Sequence, residues 1–398
     1  MSILFDSVTV SGQTLRNRLI LSPMCQYNVT AKDGVPGPWH QTHLGARAVG
    51  GFGMVVSEAT AVVPEGRISD QDTGLWNDEQ RDAWAPITEF IRSQGAVPGI
   101  QLAHAGSKAS TWPAHPGYPD GGIPLDEGGW ETVSPSGVPA VTNVGPTREL
   151  STDEIEEVIE AFAAAARRAD EAGFDAIQIH GAHGYLIHQF LSPITNQRTD
   201  EWGGSFENRT RLARRIVAAV RSVWPAEKIL GIRLSGSDWL DGGWSEDDTV
   251  RLSRELAAEG LDWVDVSSGG IGDTFQGPTG PAYQVPLAGA VRRGTLDVPV
   301  PAGYGAAFDG NEDDRRVFVS AVGAITDPEL AESVVTEGRA DGVSLGRAAL
   351  VQPNWPIEAA KSLGDDRFRE FVAPPYHRAA WGRVSTPVRQ AEPAGVAS

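Results

Sequence analysis

The feature that most constrains the fold of this chain is a regular alternation of short apolar runs with longer segments of helical periodicity. Eight such runs occur, at residues 19–21, 54–56, 98–102, 176–179, 229–234, 263–266, 318–322 and 342–345. Strands that are separated by helices pair in parallel through right-handed crossovers. Eight strand–helix units therefore predict an α/β fold, a single (β/α)8 TIM barrel. A doubly wound open sheet is the alternative.

Capping signals mark where two of the helices begin. Ser151 is followed three residues later by Glu154, and apolar residues then recur at spacings of three and four, which predicts a helix with a capping box. Asp327 followed by Pro328 predicts the start of another helix, because proline is favoured in the first turn.

Polar residues and glycines follow the ends of the apolar runs. They include Ser22, Cys25, Glu58, Thr60, Gln101, His104, His180, His183, Arg233, Ser267, Ser268, Gly323, Gly346 and Arg347. In a barrel the carboxyl ends of all strands meet around one opening, where enzymes of this fold have their active sites. Side chains from so many strand ends meet around one ligand only if the strands form a ring, which favours the barrel over the open sheet.

Two segments interrupt the strand–helix pattern. Residues 105–150 are rich in Gly, Pro and Trp with little helical periodicity, and we expect a lid or a small accessory hairpin over the site. Residues 301–316 are expected to form a mobile loop insertion before the seventh strand. Residues 1–382 are predicted to form one domain, and residues 383–398 a flexible tail.

Composition excludes several classes of function. The net charge of −19 argues against a nucleic-acid partner or an anionic membrane surface, since both require clustered cations. The sequence has no apparent signal peptide and no apolar stretch of membrane-spanning length, so we expect a cytoplasmic protein. Its one cysteine, Cys25, is unable to form an internal disulfide or to hold an iron–sulfur cluster by itself.

The strongest candidate for chemistry is the segment that follows the fourth apolar run. It places His180, His183 and Tyr185 together at the carboxyl end of a buried strand. Two imidazole donors suit a carbonyl oxygen that becomes negative, and a nearby tyrosine can deliver a proton. The histidines are alternatively metal ligands, as in a metal-dependent barrel hydrolase or lyase, or structural residues. A third protein ligand is not evident and no metal is expected.

A second group of residues suggests a phosphate-bearing cofactor. Gly323, Gly346 and Arg347 follow the last two strands, where barrel enzymes often bind phosphate through backbone N–H groups. Gln101 and Arg233 are predicted to point inward and suit the polar edge of a flavin or pyrimidine ring. The alternative for Arg233 is an internal ion pair with Glu58.

Several motifs together carry a family resemblance. In order, they are SPMCQY at 22–27, EATAV at 58–62, QLAHAG at 101–106, the histidine segment at 180–209, and SLGR at 344–347. The chain resembles the Old Yellow Enzyme family of flavin-dependent ene-reductases from about residue 5 to residue 381. The cysteine and the His-x-x-His pair are similar to its thermophilic-like branch. Relatives that need an iron–sulfur centre are excluded by the single cysteine.

The resemblance implies FMN as the cofactor and NAD(P)H as the reductant, with NADPH preferred. Cys25 would lie near the reactive N5 edge of the flavin and tune its redox behaviour, and Arg233 would favour the negative charge of the reduced ring. The other residues implied in FMN binding are Ser22, Pro23, Met24, Ala59, Gln101, Val322, Gly323, Gly346 and Arg347.

The resemblance also implies a substrate site for activated alkenes such as enones, nitroalkenes and maleimides. His180 and His183 would bind the substrate carbonyl, Tyr185 would protonate the α carbon, and Tyr27 would shape the pocket. A homodimer or homotetramer is implied, in which Arg378 reaches a neighbouring site. This chain departs from the family at Ser107, where an arginine is usual, and at Val322, where a member of the branch carries tryptophan.

Overall fold

The computed structural model describes residues 2–308 and 311–377. Its strands, in chain order, are β1 Val8–Val10, β2 Gln13–Leu15, β3 Leu19–Leu21, β4 Met54–Ala61, β5 Val97–Ala103, β6 Thr132–Ser134, β7 Thr147–Glu149, β8 Ala176–Gly181, β9 Ile229–Ser235, β10 Trp263–Ser267, β11 Ala306–Phe308, β12 Asn311–Arg316, β13 Phe318–Ala321 and β14 Gly342–Leu345. Its α-helices are α1 Pro38–Val49, α2 Asp78–Ser93, α3 Thr152–Glu171, α4 Leu186–Leu191, α5 Phe206–Arg221, α6 Glu246–Ala258, α7 Val285–Thr295, α8 Pro328–Thr336, α9 Arg347–Val351, α10 Trp355–Ser362 and α11 Phe368–Phe371.

Eight of the strands form a closed parallel barrel, in the order β3, β4, β5, β8, β9, β10, β13, β14. The ring closes where β14 pairs with β3, with Val343 opposite Leu19. The predicted (β/α)8 barrel is therefore confirmed, and the open-sheet alternative is wrong. The predicted strands lie where the eight apolar runs are, although β4 continues to Ala61 and β13 ends at Ala321.

The two predicted helix starts are confirmed. Ser151 caps α3 by accepting a hydrogen bond from the backbone of Glu154, whose side chain returns the bond to the Ser151 backbone. Asp327 caps α8 by accepting a hydrogen bond from the backbone N–H of Leu330, with Pro328 in the first turn. Among the described residues, none of the helices combines the length and apolar character needed to cross a membrane.

A second, four-stranded sheet closes the amino end of the barrel, in the order β12, β11, β1, β2. Residues 301–316 are therefore not a loop insertion, because they contribute β11 and β12 to this antiparallel sheet. The sequence did not reveal this, since the partner strand β1 lies near the other end of the chain. One buried apolar cluster joins this sheet to the first residues of the barrel strands: Val8, Val10, Leu15, Ile20, Met54, Val56, Val97, Ala176, Ile229, Trp263, Ala306, Phe308 and Phe318.

The insertion at 105–150 carries the strand pair β6 and β7, which run parallel. Strands β6 and β7 therefore do not form a hairpin, which requires antiparallel strands, whereas Thr111 and Gly122 form an isolated antiparallel bridge elsewhere in the insertion. The lid or small accessory hairpin over the site stays a prediction. A hydrogen bond attaches the insertion to the loop that follows β10 at the carboxyl end of the barrel: the backbone N–H of Gly272 donates to the carbonyl oxygen of Ala140 at 2.8 Å. The predicted tail at 383–398 and Arg378 lie outside the described residues.

Candidate active site

Inward-facing positions on the barrel strands change from apolar to polar along the barrel axis. Side chains alternate across a strand, so every second residue faces the interior. On β8, for example, Ala176 belongs to the apolar cluster, whereas Gln178 and His180 occupy the next inward positions. The carboxyl half of the barrel interior is therefore polar, and its side chains need partners.

Arg233 on β9 is held at the barrel centre by Asp265 on β10. Its Nε lies 3.2 Å from Asp265 Oδ2, and both side chains are buried. Ser320 and Ser344 donate hydrogen bonds to the other oxygen of Asp265, at 2.6 and 2.9 Å. Because a buried guanidinium requires a counterion, this network fixes the position of Arg233.

The ion pair that was considered between Arg233 and Glu58 is not formed. Glu58 instead lies 3.0 Å from Nε2 of His40, and its other oxygen accepts from the backbone N–H of Gln26. Asp265 was not predicted from the sequence as a functional residue. The signal that pointed to it was its position as the one carboxylate inside the apolar run of β10.

Several buried polar atoms at this level have no hydrogen-bond partner in the part of the chain that the structure describes. Among them, Nε2 of Gln178 and Oγ of Ser22 also lack a nearby ion-pair partner. Gln101 donates to Gln178 Oε1 at 2.7 Å, so the amides of β5 and β8 act as a pair. Unsatisfied buried donors are costly unless a ligand accepts from them. Gln178 was also missed from the sequence, although it interrupts an apolar strand.

A cavity of about 630 Å³ opens at the carboxyl ends of β9, β10, β13, β14 and β3. Eight of the residues predicted to bind a cofactor line it: Ser22, Pro23, Met24, Arg233, Val322, Gly323, Gly346 and Arg347. Ser267 and Gln284 also line it but were not predicted to bind the cofactor. Cys25, Ala59 and Gln101 are not on its wall. Cys25 and Ala59 pack with Tyr27 and Tyr185 in an adjoining cluster.

The end of this cavity that is lined by Gly323 and Gly346 has the features of a phosphate site. Gly323 has a φ of 124°, and a Cβ there would lie 2.9 Å from Nε2 of Gln284, so this turn requires glycine. Gly346 precedes α9, and the exposed Arg347 has no carboxylate partner among residues 2–308 and 311–377. Glycine turns beside an unpaired arginine fit a bound phosphate. Together with the orphaned polar atoms, they fit FMN.

The rings of His180, His183 and Tyr185 meet as the sequence predicted. Ring centroids are 5.1 Å apart for the two histidines and 4.8 Å apart for His180 and Tyr185. Burial and the nearby Arg233 lower the pKa of both histidines well below the ordinary value. Both imidazoles are therefore neutral at pH 7. The backbone N–H of Ala182 faces Nδ1 of His180 at 3.4 Å, which leaves the proton on Nε2.

His183 is held in a left-handed backbone conformation, with a φ of 61°. Its N–H donates to Ser235 Oγ at 3.0 Å, and its carbonyl accepts from Lys108 Nζ at 2.9 Å. Its ring Nε2 lies 2.7 Å from Ser267 Oγ. A non-glycine residue in this region is uncommon and persists only when its surroundings hold it. The orientation of His183 is thus set by several neighbours.

Tyr185 keeps its proton, because burial and then the nearby Cys25 and Asp72 raise its pKa well above the ordinary value. The ammonium of Lys108 lies 5.2 Å from the centre of the Tyr185 ring, and burial lowers the pKa of Lys108 to about 8. Burial also raises the pKa of the Cys25 thiol, which packs in the same cluster as Tyr27. Lys108 was not predicted as a site residue, and its place at the site is evident only from the structure.

The fold and these residues define a class: a (β/α)8 barrel enzyme with a phosphate-bearing, ring-containing cofactor beside a pair of neutral histidines. A group of three His, Cys, Asp or Glu side chains suited to a metal is not found in residues 2–308 and 311–377.

Comparisons with known proteins agree with this class. The family described as NADH:flavin oxidoreductase / NADH oxidase matches residues 3–281. The NADPH dehydrogenase of Geobacillus sp. (strain WCH70) is 40% identical over 363 residues, covering 91% of this chain and 95% of that protein. The NADPH dehydrogenase of Bacillus subtilis (strain 168) is 38% identical over 378 residues, with coverages of 95% and 99%.

Solved structures of flavin enzymes also resemble this chain. Morphinone reductase superposes with a TM-score of 0.71 at 27% identity, covering 94% of this chain and 90% of that one. The old yellow enzyme homologue from Zymomonas mobilis has a TM-score of 0.71 at 27% identity, with coverages of 90% and 92%. The chain belongs to the NADH:flavin oxidoreductase / NADH oxidase family, the Old Yellow Enzyme family, as an NAD(P)H-dependent flavin oxidoreductase. This membership does not favour the metal-dependent hydrolase alternative.

Proposed function

We propose that this protein is an FMN-dependent ene-reductase that reduces activated alkenes, namely enones, nitroalkenes and maleimides, with NADPH preferred over NADH. The observation that carries the proposal is the convergence of two neutral histidines and a protonated tyrosine beside the cofactor cavity. The preference for NADPH is supported by its relatives, which are named NADPH dehydrogenases.

FMN would be held by residues from several strand ends. Arg347, Gly346 and Gly323 suit its phosphate, whereas Arg233 and the Gln101–Gln178 pair suit the polar edge of its ring. The smaller residues implied by the motifs, Ser22, Pro23, Met24, Cys25, Ala59 and Val322, would complete its surroundings. When bound, FMN takes a hydride from NADPH and supplies a hydride to the alkene.

The histidine pair would bind the carbonyl oxygen of the substrate. Negative charge develops on this oxygen as hydride reaches the β carbon, so donors that strengthen their bonds at that moment accelerate the reaction. The free Nε2–H of His180 is one such donor. For His183 we propose Nδ1–H as the second donor, with Ser267 donating its hydroxyl proton to Nε2 at 2.7 Å and so fixing the tautomer. The longer contact of 3.2 Å from Ser267 to Oε1 of Gln284 is then given up, and that oxygen still accepts from Ser268 at 2.7 Å.

Tyr185 would protonate the α carbon. Its raised pKa means that the phenol is neutral at pH 7 and carries the proton that the product needs. Tyr27 packs in one cluster with Cys25 and Tyr185 and would shape the pocket. We also propose a homo-oligomer in which Arg378 enters a neighbouring site, as the family resemblance implies.

The test begins with the colour of the purified protein. The proposal expects yellow protein that bleaches on anaerobic addition of NADPH and regains colour on addition of cyclohexenone. Turnover with NADH provides the comparison for coenzyme preference. Colourless protein whose activity depends on an added divalent metal would contradict the proposal and favour the hydrolase alternative.

A further inference from the structure

A second cavity, which we call the second chamber, adjoins the candidate active site. Its volume is about 600 Å³, in the range of sites that bind drug-sized molecules. Its wall is built largely by the insertion, from residues 111–121 and 141–144. It is distinct from the cavity assigned to FMN, with which it shares no lining residue.

Five ring-bearing side chains, histidine included, line the second chamber together with several prolines and polar residues. Trp112 and Tyr118 face each other with ring centroids 6.0 Å apart, and His115 packs edge-on against Tyr27 at 5.7 Å. Pro113 also lines it. Rings and prolines are rigid and offer flat apolar surfaces, so they bind a flat aromatic group at little cost in conformational entropy.

The wall is held in place by hydrogen bonds to the barrel. The hydroxyl of Tyr118 accepts from Nε2 of Gln71 at 2.8 Å, and Nε2 of His115 lies 3.0 Å from the carbonyl oxygen of Gln26. Gln26 precedes β4 and Gln71 follows it, so neither partner belongs to the insertion. The chamber is thus preformed, which reduces the cost of binding.

Three residues belong to both the second chamber and the candidate active site. They are Tyr27, Lys108 and Tyr185. A substrate whose carbonyl oxygen lies at the histidine pair would therefore place a substituent directly in the chamber.

We propose that the second chamber binds a flat aromatic substituent of the alkene substrate and so selects aryl-substituted alkenes over small ones. This inference rests on the proposed function, because the chamber acts on substrates of the same site. Burying one phenyl ring against Trp112 and Tyr118 is expected to favour such substrates by about tenfold or more.

The kinetic test compares N-methylmaleimide with N-phenylmaleimide, which share one reacting double bond and differ only in the substituent. We expect kcat/KM of the FMN-loaded protein with NADPH to be at least about tenfold higher for N-phenylmaleimide. In the Trp112→Ala/Tyr118→Ala variant, the kcat/KM values for the two maleimides should differ by less than about threefold. Leu125→Ala is the matched control, because Leu125 is exposed in the same insertion but does not line the chamber.

A binding measurement avoids reaction of maleimides with the Cys25 thiol. Isothermal titration of the FMN-loaded protein with N-phenylsuccinimide and N-methylsuccinimide should show the same preference and the same loss in the variant. Trp112→Leu provides a second variant if the double variant does not fold.

The two proposals fail in different ways. If both maleimides are reduced but the double variant keeps the wild-type preference, or the wild type has none, the chamber inference is overturned and the proposed function stands. If the FMN-loaded protein with NADPH reduces neither maleimide, the proposed function is overturned, and this inference with it.

Discussion

The two ends of the barrel are built from the same strands but differ in chemistry. At the amino end, the first inward residues are apolar and are covered by the four-stranded sheet of β1, β2, β11 and β12. At the carboxyl end, the inward residues are polar, buried, and in part without a partner, such as Nε2 of Gln178. The first arrangement stabilises the fold, and the second sacrifices stability in order to present donors to ligands.

The comparison predicts that substitutions at the two ends have different consequences. A change at the amino end should alter the free energy of unfolding and leave the chemistry intact. A change at the carboxyl end should alter the chemistry with little effect on stability.

Phe318→Ala should lower the free energy of unfolding by about 3–5 kcal/mol, because it leaves a cavity in the cluster at the amino end. Phe318 is 1% exposed and stacks on Phe308, with ring centroids 6.5 Å apart. Urea unfolding measures the loss, and kcat/KM per FMN-loaded molecule should remain within about twofold of the wild type. Thr14→Ala, on the exposed side of the sheet, is the control and should cost less than about 0.5 kcal/mol.

His183→Ala should lower kcat/KM for cyclohexenone by about 10²–10³-fold, the usual cost of one lost oxyanion donor. His183→Asn should recover most of the rate, since an amide N–H can replace the imidazole donor. Both variants should keep FMN and unfold close to the wild-type midpoint. Equal activity of the Ala variant and the wild type would remove His183 from the site.

Tyr185→Phe should slow alkene reduction by about 10²-fold, because the product carbon loses its proton donor. Stopped-flow measurement separates this step from the reduction of FMN by NADPH, which should stay within about twofold of the wild-type rate. An equal loss in both half-reactions would contradict the role of Tyr185 as proton donor.

Ser267→Ala should lower kcat/KM by about tenfold, the cost of roughly one hydrogen bond, since the tautomer of His183 is no longer fixed. Ser267→Thr keeps the hydroxyl and should restore the rate. Because Ser267 also lines the FMN cavity, the affinity for FMN is measured in parallel. A loss of FMN affinity with no change in kcat would show that Ser267 serves the cofactor instead of the histidine.

Much of the barrel could be predicted because its signals are local. The eight apolar runs fall on the eight barrel strands, and His180, His183 and Tyr185 meet because they lie within six positions of one strand end. The residues that were missed act across the barrel. Asp265 was hidden because its partner Arg233 lies on a different strand, and nothing in the sequence indicates which acid faces which arginine.

The amino-acid sequence alone is sufficient to indicate the number and order of the barrel strands, the histidine–tyrosine group and the motifs that place the chain in a flavin family. These depend on periodicity and on neighbours in sequence, which are fixed before the chain folds. Tertiary structure alone decided the pairing of β1 with β11, the Asp265 network and the second chamber. Each joins residues that are distant in sequence, and such contacts form only where the packing of the whole barrel brings them together.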